Sequence, residues 1–361
     1  DYLVCCAKYF SNNGNPKKSI DYCLKALELE EEENFLHNFI ADEFHNLDDP
    51  FKALKHYKLA LKHDPVDDYS VESAMVCYQQ LNKHEEAEEF LQDYLDQFPY
   101  SETAWFEMGQ FYFNRKNYEK AIQSFDYLIA INADSAGVFA NKAACYEALE
   151  QWQKAIEVYE EQLDLEYTKA FTYYKIGLCN KADKKNLEAL RAFQKSLKED
   201  PQFYLSMMEQ SDIYLELGSR TEALHFAKEA VMLNENNLDF QKKLAFLYID
   251  SGKFEESLPC LKKLVDAEPS RFYNWYAYSE VLMLVGKYED AILVIENAVK
   301  VHERAELYYQ LSNCYLNLDQ EKKGQEALKK ALELDATLSS DMEQKYPNIK
   351  DQVKKVKSKK K

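Results

Sequence analysis

Four of the seven histidines, His37, His45, His56 and His63, fall within one short stretch, and His37 and His45 stand about two helical turns apart near Asp42. Imidazoles at such spacing could hold a metal ion. His37, however, takes a packing position, and His56 and His63 belong to the following helix, so the ligands are not expected to converge. The carboxylate runs Glu28–Glu33 and Glu85–Glu89 offer acid and base groups, but paired catalytic carboxylates need a closed, desolvated cleft. These runs sit at helix ends and on outer faces, where they serve as solvated charge. Phosphate-cradling loops need clustered glycines, whereas no two of the eight glycines here are closer than 28 residues. No nucleophile elbow, HExxH helix or CxxC pair occurs. The sequence therefore reads as non-enzymatic, with no cofactor and no metal.

The elements that would position side chains are helices. With 46% hydrophobic and 30% charged residues the chain can build and solvate a core, and eight Gly plus eight Pro are too few to punctuate a fold rich in strands or loops. The net charge is −18, yet seven lysines and one aspartate occupy Lys350–Lys361, so the rest of the chain carries −24. Such an acidic body repels phosphate backbones, so the expected partner is a neutral to basic protein or peptide and not nucleic acid. The lysine tail, residues 357–361, is expected to be disordered and solvated. No run of 18 apolar residues is present, so no membrane association is expected. The sequence opens at Asp1, partway through a predicted helix, so an upstream segment with a targeting signal or a further domain is expected to precede it. The eight cysteines have no paired spacing, and Cys77, Cys145, Cys179 and Cys314 recur at one interior position, which points to free thiols in the cytoplasm.

The recurrence is general. Trp105, Gly109, Tyr112, Ala121 and Phe125 set a pattern that returns every 34 residues. Counting slots from Glu102 places ten units near residues 1, 34, 68, 102, 136, 170, 204, 238, 272 and 305, the last after one lost residue between Val301 and Ala305. Slot 20 holds Ser19, Ala53, Ala87, Ala121, Ala155, Ala189, Ala223, Ser257, Ala291 and Gly324. Slot 8 is as small in every unit except the third, which has Met75. Small residues facing one another let two helices of a hairpin cross closely. Slot 11 carries a large ring, as at Tyr78, Tyr112 and Tyr146, that wedges between hairpins. Gly14, Gly218, Gly252 and Gly286 end first helices, and Pro65, Pro99, Pro201 and Pro269 follow second helices. Pro259 lies inside a second helix and is expected to kink it.

The period and these residues resemble the tetratricopeptide repeat family, in particular multi-repeat scaffolds of bacterial type, over residues 1–338. The resemblance implies an all-α, right-handed α-solenoid superhelix of helix-turn-helix units. Residues 339–356 would be a C-terminal capping segment, with Tyr346 and Ile349 facing inward. It implies a concave groove lined by slots 2, 5, 9 and 12 of the first helices. Those slots hold Phe106, Gln110, Phe113, Phe171, Tyr174, Leu178, Met208, Asp212, Phe246, Tyr273, Tyr276, Met283, Tyr309 and Asn313. Rings bury area at little conformational cost, so this groove suits a peptide or helix with hydrophobic anchors. Units two and three instead offer Asn38, Asp42, His45, Glu72, Gln79 and Gln80, a polar and acidic stretch suited to Lys or Arg. The family variant that grips a terminal carboxylate pairs Lys at slot 5 with Asn at slot 9. Here Lys242 meets Phe246 and Asn313 meets Tyr309, so that cage cannot close.

Three functions follow from these residues: a scaffold or adaptor capturing a partner segment, a self-associating structural solenoid, or the regulatory part of a larger protein. RNA binding would need a basic groove.

Overall fold

The computed structural model describes residues 2–29, 34–134, 136–165 and 169–353. The expected tail at 357–361, the last residues of the capping segment and most of the Glu28–Glu33 run lie outside them. Among the described residues every regular element is a helix, twenty-one α-helices and one short 3₁₀ turn.

The chain divides into two compact units, Asp1–Ala189 and Leu190–Lys361. In the first, α1 (Tyr2–Asn12) pairs antiparallel with α2 (Pro16–Leu27), α3 (Asn34–Asn46) with α4 (Pro50–His63), and α5 (Asp68–Gln80) with α6 (His84–Gln97). Next, α7 (Glu102–Asn114) pairs with α8 (Tyr118–Ile131) and α9 (Ala136–Ala148) with α10 (Trp152–Leu163), followed by α11 (Ala170–Ala182). The division falls within α12 (Asn186–Glu199). In the second unit α13 (Tyr204–Glu216) pairs with α14 (Arg220–Leu233), and α15 (Leu238–Asp250) with α16 (Phe254–Ala267). There too α17 (Phe272–Leu284) pairs with α18 (Tyr288–Val301), and α19 (Ala305–Asn317) with α20 (Glu321–Leu334). The short α21 (Ser339–Lys345) and a 3₁₀ turn, Pro347–Ile349, close the unit.

The hairpins close because slots 8 and 20 touch. Ser19 donates its hydroxyl to the Ala7 carbonyl at 3.0 Å, Ser211 to Ala223 at 2.7 Å and Ser312 to Gly324 at 2.8 Å. These hydroxyls bond to the backbone of the helix they cross, so a small polar residue does not leave a buried group unsatisfied. At Gly109 the missing side chain has a second use, because a Cβ there would stand 2.4 Å from the buried ring of Phe125.

Each first helix ends with the residue at slot 15 in the left-handed region. Gly14, Gly218, Gly252 and Gly286 take it without strain, but Asp48, Asn82, Lys116, Glu150, Lys184 and Asp319 adopt it too, with φ between 55° and 60°. The following N–H reaches back to the carbonyl of slot 11, as in Lys83 to Tyr78 (3.0 Å), Asn117 to Tyr112 (2.9 Å) and Lys253 to Tyr248 (2.8 Å). This bond is the Schellman closure, and it satisfies a carbonyl that the helix end would otherwise orphan. The same residue then caps the second helix where it is Asn or Asp: Asn15, Asp49 and Asn117 accept from the backbone N–H of Lys18, Lys52 and Lys120. One turn thus ends one helix and starts the next.

Two local expectations meet the structure as follows. Pro259 sits inside α16, which continues from Phe254 to Ala267. The lost residue shortens the link before α19 to three residues, 302–304. Cys77, Cys145, Cys179 and Cys314 are buried free thiols; burial pushes Cys77 up to about 11 and the other three up to about 12.

Candidate functional site

In the first unit a polar cluster forms between α3, α4 and α5. Tyr57 and Tyr69 both donate their hydroxyls to Oδ1 of Asp42, at 2.7 and 2.6 Å. Around them lies a cavity of about 330 Å³, lined also by His45, Asn46, Ser73 and Val76. Val76 separates it from a second cavity of about 520 Å³, lined by Met75, Gln79, His84, Glu107, Gln110, Phe111 and Arg115 among others. The second cavity opens where the repeat pattern breaks. Met75 is the bulky residue at slot 8, and α5 and α6 approach each other less closely than α3 and α4 or α7 and α8 do. A side chain that keeps two axes apart leaves space along the crossing.

Glu107 borders this cavity half-buried. Burial, reinforced by the negative charge of Glu72 on α5, pushes its carboxyl up to about 7. Neither carboxylate has an ion-pair partner among the described residues. Sequence reading passed over Glu107 because slot 6 is not a groove slot; the available signal was its adjacency to Glu72 at slot 5 of the preceding unit.

The rings of His37, His56 and His63 lie together in the α3–α4 hairpin. His37 and His56 bring their Nδ1 atoms to 3.2 Å, and His63 stacks on His37 with ring centroids 5.4 Å apart. The α4 histidines therefore pack on His37 across the α3–α4 hairpin, while His45 turns away to Gln80. Burial lowers His37, and burial followed by the charges of His37 and Lys55 lowers His56 to about 4. No group of three or more His, Cys, Asp or Glu side chains placed to hold a metal ion occurs among the described residues.

The aromatic positions divide by burial. Phe171 is 56% exposed, with Tyr174 half-buried beside it at 6.1 Å between centroids. Phe106 and Phe113 are half-buried against Phe125 and Tyr118, and Gln110 lines the cavity below Met75. In the second unit Phe246 and Tyr273 are exposed, at 58% and 76%.

Met208, Tyr309 and Asn313 are not on an accessible surface, contrary to their groove assignment. Met208 packs in the core with Leu224 and Leu244. Tyr309 is fully buried, and Asn313 lies against Met283, which is buried as well. Met208 is covered by α14 and α15, whereas Tyr309 is covered by the C-terminal segment, which lies over α17 and α19. Lys345 donates to the Tyr276 hydroxyl at 2.8 Å and the Glu280 carboxylate at 2.7 Å, and Asn348 donates to Asn317. Tyr346, Ile349 and Val353 are buried in the same cluster. Tyr276 is therefore engaged by the chain itself.

No helix among the described residues is long and apolar enough to cross a membrane. Family models described as tetratricopeptide repeat match residues 78–136, 138–171, 243–300 and 305–338, together about half of the chain. The chain is 24% identical to the TPR repeat-containing protein YpiA of Bacillus subtilis, over 96% of this chain and 90% of that protein. It is also 24% identical to human sperm-associated antigen 1, over 40% of this chain and 15% of that protein. Among solved structures, the C-terminal part of a TPR repeat-containing protein from Cytophaga hutchinsonii is similar with 16% identity. It matches 64% of this chain and 96% of that one, with a TM-score of 0.49.

Proposed function

Because the chain belongs to the tetratricopeptide repeat family, we propose that it is a non-catalytic protein-interaction scaffold that holds a segment of a partner protein against its first helices. The observation that carries this reading is the exposure of Phe171, Phe246 and Tyr273, large rings left uncovered on helices that also contribute buried residues to the core. Covering apolar rings that stand in water lowers the free energy by roughly 25 cal/mol per Å² buried. A partner segment with apolar anchors and neutral to basic charge fits both the rings and the acidic body.

The test is a pulldown from cell lysate with the wild-type chain and with Phe171→Ala/Tyr174→Ala, after circular dichroism has shown equal helicity. A protein retained by the wild type and lost from the variant supports the scaffold reading at this surface. Identical proteins on both would move the contact away from these rings. A mass that rises with concentration in light scattering, and falls back in the variant, would assign them to self-association.

A further inference from the structure

The cavity beside Met75 combines groups that core packing does not require. Met75, Val76 and Phe111 give it apolar walls, Gln79 and Gln110 bring amides to its edge, and Glu107 brings a half-buried carboxylate. Glu72, exposed on α5 outside the lining, adds its negative charge to Glu107, and neither acid has an ion-pair partner among the described residues. Of the nearby positive groups, Arg115 stands on the cavity wall. The Arg115 guanidinium lies over the Phe111 ring at 5.7 Å, and its charge acts on Glu88. Lys120 bonds that same Glu88 at 3.0 Å. His84, from the start of α6, is the remaining titratable group on the cavity wall.

The chain itself shows how its first helices hold a lysine. In the second unit Lys345 places its ammonium between the Glu280 carboxylate and the Tyr276 hydroxyl, 4.9 Å from the centre of that ring. Carboxylate and aromatic face together suit an ammonium ion, which gains from both the charge and the ring quadrupole. Glu107 places a carboxylate, and Met75, Val76 and Phe111 apolar walls, around a cavity of about 520 Å³.

We propose that the cavity between α5, α6 and α7 is a receptor pocket for a lysine side chain of an extended partner peptide. The ammonium meets Glu107, to which Glu72 adds its charge, the methylenes lie on Met75, Val76 and Phe111, and the Gln79 and Gln110 amides bond the peptide backbone. This rests on the reading of the chain as a peptide-binding scaffold, but not on the exposed rings used to test that reading.

Saturation-transfer NMR on the full chain, with Ac-Ala-Lys-Leu-Ala-NH2 and its glutamine counterpart as probes, tests it directly. The lysine peptide should bind and the glutamine peptide should not. Affinity should be about tenfold weaker at pH 6 than at pH 8, because the ammonium must displace a proton from Glu107 at the lower pH. Glu107→Gln should remove the binding and flatten the profile. Glu72→Gln should keep some binding and move the profile to lower pH, a change that mere loss of packing would not produce. Equal binding of both peptides, a profile unaltered by Glu107→Gln, or no binding to the wild type would each overturn the pocket. None of these would alter the outcome of the pulldown at Phe171 and Tyr174, where the scaffold reading stands or falls separately.

Discussion

At His56 a single side chain links burial to acid stability. Its ring lies against Phe44 and His37 on the inside of the α3–α4 hairpin, where a positive charge would lose hydration and meet His37 and Lys55. Its folded pKa is therefore about 4, below the ordinary 6.5. For a base with a lowered pKa the unfolded chain binds the proton first. The stabilisation is complete above about pH 6.5 and is lost progressively as pH falls towards 4. His37, shifted in the same direction, adds to the effect. In urea unfolding at pH 7, 5.5 and 4.5, His56→Phe should lose less stability on acidification than the wild type. Parallel curves for the two would show that His56 does not titrate in this window.

At the scale of the hairpin, the left-handed residue at slot 15 decides how one helix turns into the next. Where that residue is Lys116, Glu150 or Lys184, its Cβ crowds the following carbonyl, a strain that glycine avoids. Lys116→Gly, Glu150→Gly and Lys184→Gly should each stabilise the fold by about 0.5–1 kcal/mol, net of glycine's greater entropy loss. Thermal unfolding would show the gain, and destabilisation by all three would mean that these turns gain more from their side chains than they lose in strain. The same turn shows what could be read from sequence. The helical class and the small residues at slots 8 and 20 were legible, because steric exclusion at a helix crossing admits few residue types. Glycine marked four of the turns, but Lys116 and Glu150 carry no such mark, since the flanking helices impose the conformation. At the site, Phe171, Phe246 and Tyr273 were legible as rings on the first helices. The burial of Tyr309 was not, because it depends on a segment that follows the repeats. Glu107 was missed because its surroundings arise from Met75 spreading another hairpin.

Across the whole molecule the repeats make stability nearly one-dimensional. Each hairpin buries its faces mainly against its neighbours in the chain, so the free energy of folding is a sum of local and nearest-neighbour terms. The net charge of −18 adds a repulsion spread along that line, which salt screens over a Debye length of about 8 Å at physiological ionic strength. Opening is then expected hairpin by hairpin, and the turn that closes each one carries its own reporter. The amides of Asn15, Lys83, Asn117, Gln151, Ser219 and Lys253 each bond the carbonyl five residues back, and that bond breaks when the first helix unwinds at its end. In deuterium exchange these amides should be protected to different degrees, least at α1–α2 and more towards the middle of the first unit, with no common rate. A single shared exchange rate would show all-or-none opening instead. One backbone hydrogen per repeat thus serves as a built-in gauge, from which the stability profile of the chain can be read position by position.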